Sequence, residues 1–174
     1  MFFGLKQSSG LLFVGLFLSV IAGRSARHTM ESGAVTTAEP KIVEEPIALS
    51  PSVTGRVTKI QFFEGERSKR AFMADRKYET RFAANMTRTV YTEIDLDYSR
   101  PETNIYFPIT LYFRQNGRTL RIEEVENRIR PDWSSSNHVI GAGNFDPGKW
   151  PVGNYEVDVF IHAKKAATGY FEIY

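Results

Sequence analysis

The chain has 174 residues, a formal net charge of +2 and no cysteine, with 42% hydrophobic and 13% aromatic residues. That is enough apolar material to bury a core, and it excludes full-length disorder. It also excludes disulfides, thiol chemistry and Cys-ligated metal, and the weak net charge gives no electrostatic basis for capturing nucleic acid.

The chain opens with an apolar run, Leu11 to Ala22, preceded by Lys6. A positive start, a short apolar stretch and small residues near its end describe a secretory signal peptide, here residues 1–23. The run is shorter than the roughly 20 residues that span a bilayer. An uncleaved anchor is the competing reading, and Arg24 and Arg27 just after the run favour it. On either reading the protein is exported, to the periplasm or outside the cell, and meets the membrane only through this segment. Residues 24–50 hold Ser, Thr, Glu and two prolines, Pro40 and Pro46, without a sustained apolar period. They read as a flexible linker. Residues 51–174 are then expected to form the folded domain.

From Val57 onward the period is two. Expected strands are 57–63, 77–82, 90–98, 105–114, 119–129, 136–141, 155–162 and 168–174. In residues 90–98, Val90, Thr92, Ile94, Leu96 and Tyr98 alternate with Tyr91, Glu93, Asp95 and Asp97. One face is therefore apolar and the other polar. Ile105 to Phe113 alternates in the same way and runs into Asn116-Gly117, the strongest short hairpin signal, because a type I′ turn needs positive φ at both central residues. Pro108 lacks an N–H, so its strand should have an edge or a bulge there. Without helices for crossovers, eight short strands predict an all-β sandwich.

Residues 147–157 read PGKWPVGNYEV. In immunoglobulin-like domains a tyrosine near a strand start bonds back to nearby backbone, with a cysteine two residues later. Tyr155 fits that tyrosine, and Val157 stands where the cysteine would be. Together with Phe62-Phe63-Glu64-Gly65, residues 76–82 (RKYETRF), residues 133–136 (WSSS) and residues 169–174 (GYFEIY), this stretch resembles the immunoglobulin-like accessory domains of bacterial exported or envelope proteins, over roughly residues 57–174. The resemblance implies a β-sandwich of about seven or eight strands and an appended, non-enzymatic role. The similar domains tend to carry Asp-Gly in the last hairpin turn, where this chain has His162-Ala163-Lys164-Lys165, which leaves the turn type and register there open.

The search for chemistry is short. His28, His138 and His162 lack metal-ligand spacing, and no cofactor fingerprint is present. Glu93, Asp95 and Asp97, and likewise Glu123, Glu124 and Glu126, read as solvated strand faces with arginines such as Arg121 as partners. Ser134-Ser135-Ser136 has no nucleophile-elbow context. Asn85-Met86-Thr87 matches a glycosylation acceptor. Arg67 to Arg70 and Arg76-Lys77 read as a solvated loop. Tyr91, Tyr106, Tyr112 and Phe160 fall on polar faces, and the first three would share one surface if their strands were neighbours. That surface is the expected binding site, for an envelope protein or alternatively for a glycan.

Overall fold

The alternation of small, β-branched and aromatic residues produces strands throughout the computed structural model, which describes residues 38–66 and 76–174. Among these residues ten strands form and no helix: β1 Lys41–Ile42, β2 Ile47–Ser50, β3 Val53–Gly65, β4 Arg81–Phe82, β5 Thr89–Tyr98, β6 Ile105–Gln115, β7 Arg118–Ile129, β8 Ser135–Gly143, β9 Gly153–Ile161 and β10 Lys164–Ile173. They make two sheets. The first has the order β1-β10-β9-β6-β7, with β4 added parallel to β10; the second has the order β2-β3-β5-β8. β9 lies between β10 and β6, and β5 between β3 and β8, the placement of strands F and B in an immunoglobulin-like sandwich. The short strands β1 and β4 follow one another along the outer side of β10 and close that edge.

Core residues come from one face of each long strand except β7, which contributes only Ile129. Val57, Ile60 and Phe62 of β3 and Ile94 and Leu96 of β5 meet Phe107, Ile109, Leu111 and Phe113 of β6 and Val157, Val159 and Ile161 of β9, all buried. The sheets approach closely at Gly169. A Cβ there would lie 2.6 Å from Phe62 Cζ and 2.8 Å from Ile60 Cδ1, so a side chain would push the sheets apart.

The turns follow their residues. Asn116 and Gly117 both have positive φ, 51° and 75°, as a type I′ hairpin requires. In the last hairpin the left-handed residue is His162, at φ 53°. Its ring is anchored by an Nε2–H···O bond to Leu49 of the other sheet, at 3.3 Å. The register then shifts between Lys165 and Ala167. Pro108 pairs with Glu126 on its β7 side, while the β9 ladder stops at Ile109 and Ile161. His162 N–H donates to Pro108 O at 3.2 Å, so the missing proline N–H faces the side where pairing has already ended. The bulge in this hairpin lies elsewhere, between Phe113 and Arg114.

The tyrosine corner forms. Tyr155 Oη–H donates to Pro151 O at 2.8 Å, and burial pushes the phenol pKa up to about 12. Val157 packs in the core. Around the corner Tyr155 stacks on Phe171 with ring centroids 4.9 Å apart, and Trp150 meets both rings edge-on.

Two expectations require correction. The linker ends earlier than residue 50: β2 pairs with β3, and Ile47 and Leu49 are buried in the core. Two apolar residues at spacing two, beside Pro46, were too brief a pattern to outweigh the polar composition around them. The strand expected over 77–82 shrinks to β4 and an isolated bridge between Tyr78 and Phe63, because the segment bonds to β3 only at residues 78–79 and has passed to β10 by Thr80, whose O accepts from Glu172 N–H. Residues 1–37, on which the targeting expectation and His28 fall, and the Arg67–Arg70 cluster lie outside the described residues.

Two outcomes follow for stability. Replacing Tyr155 with Phe keeps the ring and removes the donor to Pro151, and should lower unfolding free energy by about 1 kcal/mol in denaturant titration. A chain beginning at residue 51 loses the burial of Ile47 and Leu49. It should be less stable than one beginning at residue 38 by about 3 kcal/mol or more, since each such side chain contributes about 1.5–3 kcal/mol.

Candidate functional site

The three tyrosines do not share a surface. Tyr91 is on β5 in the second sheet, whereas Tyr106 and Tyr112 are on β6 in the first. Tyr91 is also buried, at 6% exposure. Its ring stacks on Phe63 at 5.0 Å, fills the space left by Gly65 and Gly141, and its hydroxyl donates to Glu66 O at 3.0 Å. Gly141 directly opposite Tyr91 and Gly65 diagonal to it are the signal in the sequence that a large ring lies flat there.

The outer face of the second sheet is therefore covered around Phe63, Tyr91 and Glu93, and its acidic row is only partly solvated. Glu93 is buried, paired with Arg76 and accepting a hydrogen bond from Tyr78 Oη–H at 2.9 Å. Arg76 also lies over the Phe63 ring at 5.1 Å. Asp95 accepts from Asn137 Nδ2 at 2.6 Å, and Asp97 is exposed. Arg121 pairs with none of these three, but with Glu123 of the second acidic row, at 3.7 Å. It lies on β7 in the first sheet, donates to Gly143 O and sits over Trp150 at 5.7 Å.

Tyr106 and Tyr112 do share the outer face of the first sheet. Tyr106 is 55% exposed; Tyr112 is half-buried and packs edge-on against Phe160 at 5.2 Å. Ile122 of β7, 55% exposed, lies directly opposite Tyr112 in the ladder. On the other side Tyr112 is in register with Asp158. Asp158 is buried and held by Thr168 Oγ1–H at 2.9 Å, by Arg114 at 3.0 Å and by Lys165. Its charge is compensated within the face, so the apolar side chains beside it carry no stray anion.

A second feature was not visible in the sequence. β7 and β8 are edge strands of opposite sheets, and an open cleft of about 690 Å³ runs between them, lined by residues 125–128 and 132–139. His138 lies in its floor, packed edge-on against Phe107 at 5.6 Å. The Asn127 amide donates to Val125 O at 2.8 Å, which turns Asn127 Oδ1 toward His138 Nδ1, 2.9 Å away. His138 is then neutral with its proton on Nδ1, and Nε2 accepts from Ser136 Oγ–H at 2.7 Å. Burial lowers its pKa to about 4, opposed by the charge of Asp95.

Ser136, His138 and Asn127 have the connectivity of a nucleophile, base and orienting group. A base works best with a pKa near the working pH, and burial has moved His138 well below it. The chain of bonds satisfies a buried imidazole at the sandwich edge. Among the described residues no three His, Asp or Glu side chains converge as metal ligands would.

No family model matches this chain, and no curated protein does. Among solved structures it is similar to an immunoglobulin-like protein from Pseudomonas aeruginosa, with 17% identity and a TM-score of 0.42 over 69% of this chain and 96% of that one. The strand order and the Tyr155 corner are by themselves those of an immunoglobulin-like β-sandwich.

His138 should make stability pH-dependent. Its folded-state pKa of about 4 lies below the ordinary 6.5, so the unfolded chain takes up the proton more readily. Its contribution is whole above pH 6.5 and is lost as pH falls toward 4. Between pH 7.5 and 5 the wild type should lose about 2 kcal/mol more than His138→Gln in chemical denaturation. Equal slopes for the two proteins would mean that His138 is accessible to protons in the folded state.

Proposed function

We propose that this protein is a binding module of the cell envelope that holds a protein partner on the outer face of its first sheet, over β6 and β7. The observation carrying this reading is the adjacency there of Tyr112, Phe160 and Ile122, with Tyr106 further along β6. Aromatic side chains contribute much contact area for little lost rotamer entropy, and an aliphatic neighbour in register extends the patch. Among the described residues of the opposite sheet, Phe63 and Glu93 are covered by Arg76 and Tyr78, and Tyr91 is buried against Phe63. Export is supported by Lys6 and the apolar run from Leu11 to Ala22. A chain without cysteine holds this fold by packing alone, whatever the redox state of its compartment. A second reading, recognition of a glycan, has its support elsewhere, in the cleft around Trp133.

A photo-crosslinking residue placed at Ile122 should capture a discrete partner in intact cells, and one placed at exposed Asp97 on the other sheet should not. Adding Tyr112→Ala should weaken capture at least about tenfold, as truncating a contact worth about 1.4 kcal/mol does. Equal capture at both positions, or none at Ile122, would reject this face as the interface.

A further inference from the structure

The cleft between β7 and β8 lies off the outer face of the first sheet and has a different chemistry. Its one aromatic lining residue is Trp133, which is 37% exposed. Asp132 and Ser134 flank it in the chain, and Asn127, Ser136 and His138 share the lining. Asp132 and Arg130 bracket the indole with opposite charges, so the cleft has no uniform field for a phosphate backbone or another polyanion. The polar groups also make it a poor seat for an apolar side chain or a lipid tail, each of which would leave them desolvated and unpaired. A sugar ring satisfies both parts of the lining. Its C–H face stacks on an indole, and its hydroxyls, each both donor and acceptor, pair with carboxylate and hydroxyl groups.

The platform is built rigidly. Trp133 N–H donates to Arg130 O at 3.1 Å, closing a turn through Pro131 and Asp132. Proline at the second position of such a turn sets its φ in advance. The Arg130 guanidinium lies over the indole at 5.2 Å and fixes its plane. Beneath, the Asn127–His138–Ser136 chain leaves neither imidazole nitrogen free to rearrange. The volume of about 690 Å³ lies in the ordinary range for small-molecule sites, about 300–1,000 Å³. We propose that this cleft is a saccharide-binding site, in which Trp133 stacks on a sugar ring and Asp132 and Ser134 bond its hydroxyls.

Three neutral probes, chitotetraose, cellotetraose and maltotetraose, titrated into the full-length protein by calorimetry test this. At least one should bind saturably with a dissociation constant of about 1 mM or tighter. Trp133→Ala and Asp132→Ala should each weaken that binding about tenfold or more, and Trp133→Phe should retain part of it. The thermal midpoint of each variant reports whether it is folded; should Trp133→Ala unfold, Trp133→Phe and Asp132→Ala decide. Indole emission should change in the wild type through Trp133, since the other tryptophan, Trp150, is buried in the core. Ile122→Arg, which alters the proposed protein-binding face, should leave sugar binding unchanged, so the two sites fail separately. No saturable heat with any of the three sugars up to about 10 mM, or binding indifferent to Trp133 and Asp132, would overturn the proposal.

Discussion

The sandwich is organised around Phe171. Its ring stacks on Tyr155 in a nearly parallel arrangement, at an interplanar angle of 3°, and touches Phe62 at 5.2 Å and Phe82 at 5.7 Å. Phe62 belongs to the second sheet, Phe82 to β4, and Tyr155 to the strand beside Phe171. One side chain thus joins both sheets and the short strand that closes the β10 edge. Trp150 adds the loop before β9, and its Nε1–H reaches back to Arg88 O at 3.0 Å, just ahead of β5. In antibody domains a disulfide and a tryptophan hold the corresponding place between sheets. Here aromatic packing takes that role, and Val157 fills the cysteine position as core. Pairs of rings add roughly 0.5–1.5 kcal/mol each beyond their burial, so a cluster of this size is a substantial part of a marginal stability.

How far the fold was legible depended on the length of each pattern. The long alternations at 90–98 and 105–113, the Asn116-Gly117 turn and the Tyr155 corner each carry their own physical requirement, and each appears where it was expected. β2 was missed because two core residues at spacing two are too short a signal inside a polar stretch. The proposed tyrosine surface failed for a topological reason. Alternation tells which residues share a face of one strand, but not whether consecutive strands share a sheet. In an immunoglobulin-like order, β5 and β6 follow one another in sequence and lie in opposite sheets. Tyr91 also shows that outward does not mean exposed: residues 76–80 and the glycines beside it turn that position into a small second core.

The edges separate what the molecule stabilises from what it leaves open. β10 is covered by β1 and β4, and β2 is only four residues long. β7 and β8 are the long edges without further strands. β7 carries Arg121 and Glu123 on the side facing the core, and charged inward positions of this kind discourage a neighbouring chain from adding another strand. The same polar inward positions cannot be packed against apolar residues of β8. The two sheets therefore part along this side, and Asn127 of β7 meets His138 of β8 across the gap through a hydrogen bond.

That gap explains why the cleft chemistry was hidden in the sequence. Asn127, Asp132, Trp133 and His138 come from an edge strand, a turn and another edge strand, and no spacing rule joins them. What brings them together is the failure of β7 to bury its inward face. A buried neutral imidazole is costly unless both nitrogens are bonded, and Asn127 and Ser136 meet that demand. The arrangement fixes the cleft floor as a consequence of satisfying the imidazole. A polar edge chosen against aggregation and a preorganised recess for a polar ligand are thus one structural solution, reached through the same few residues.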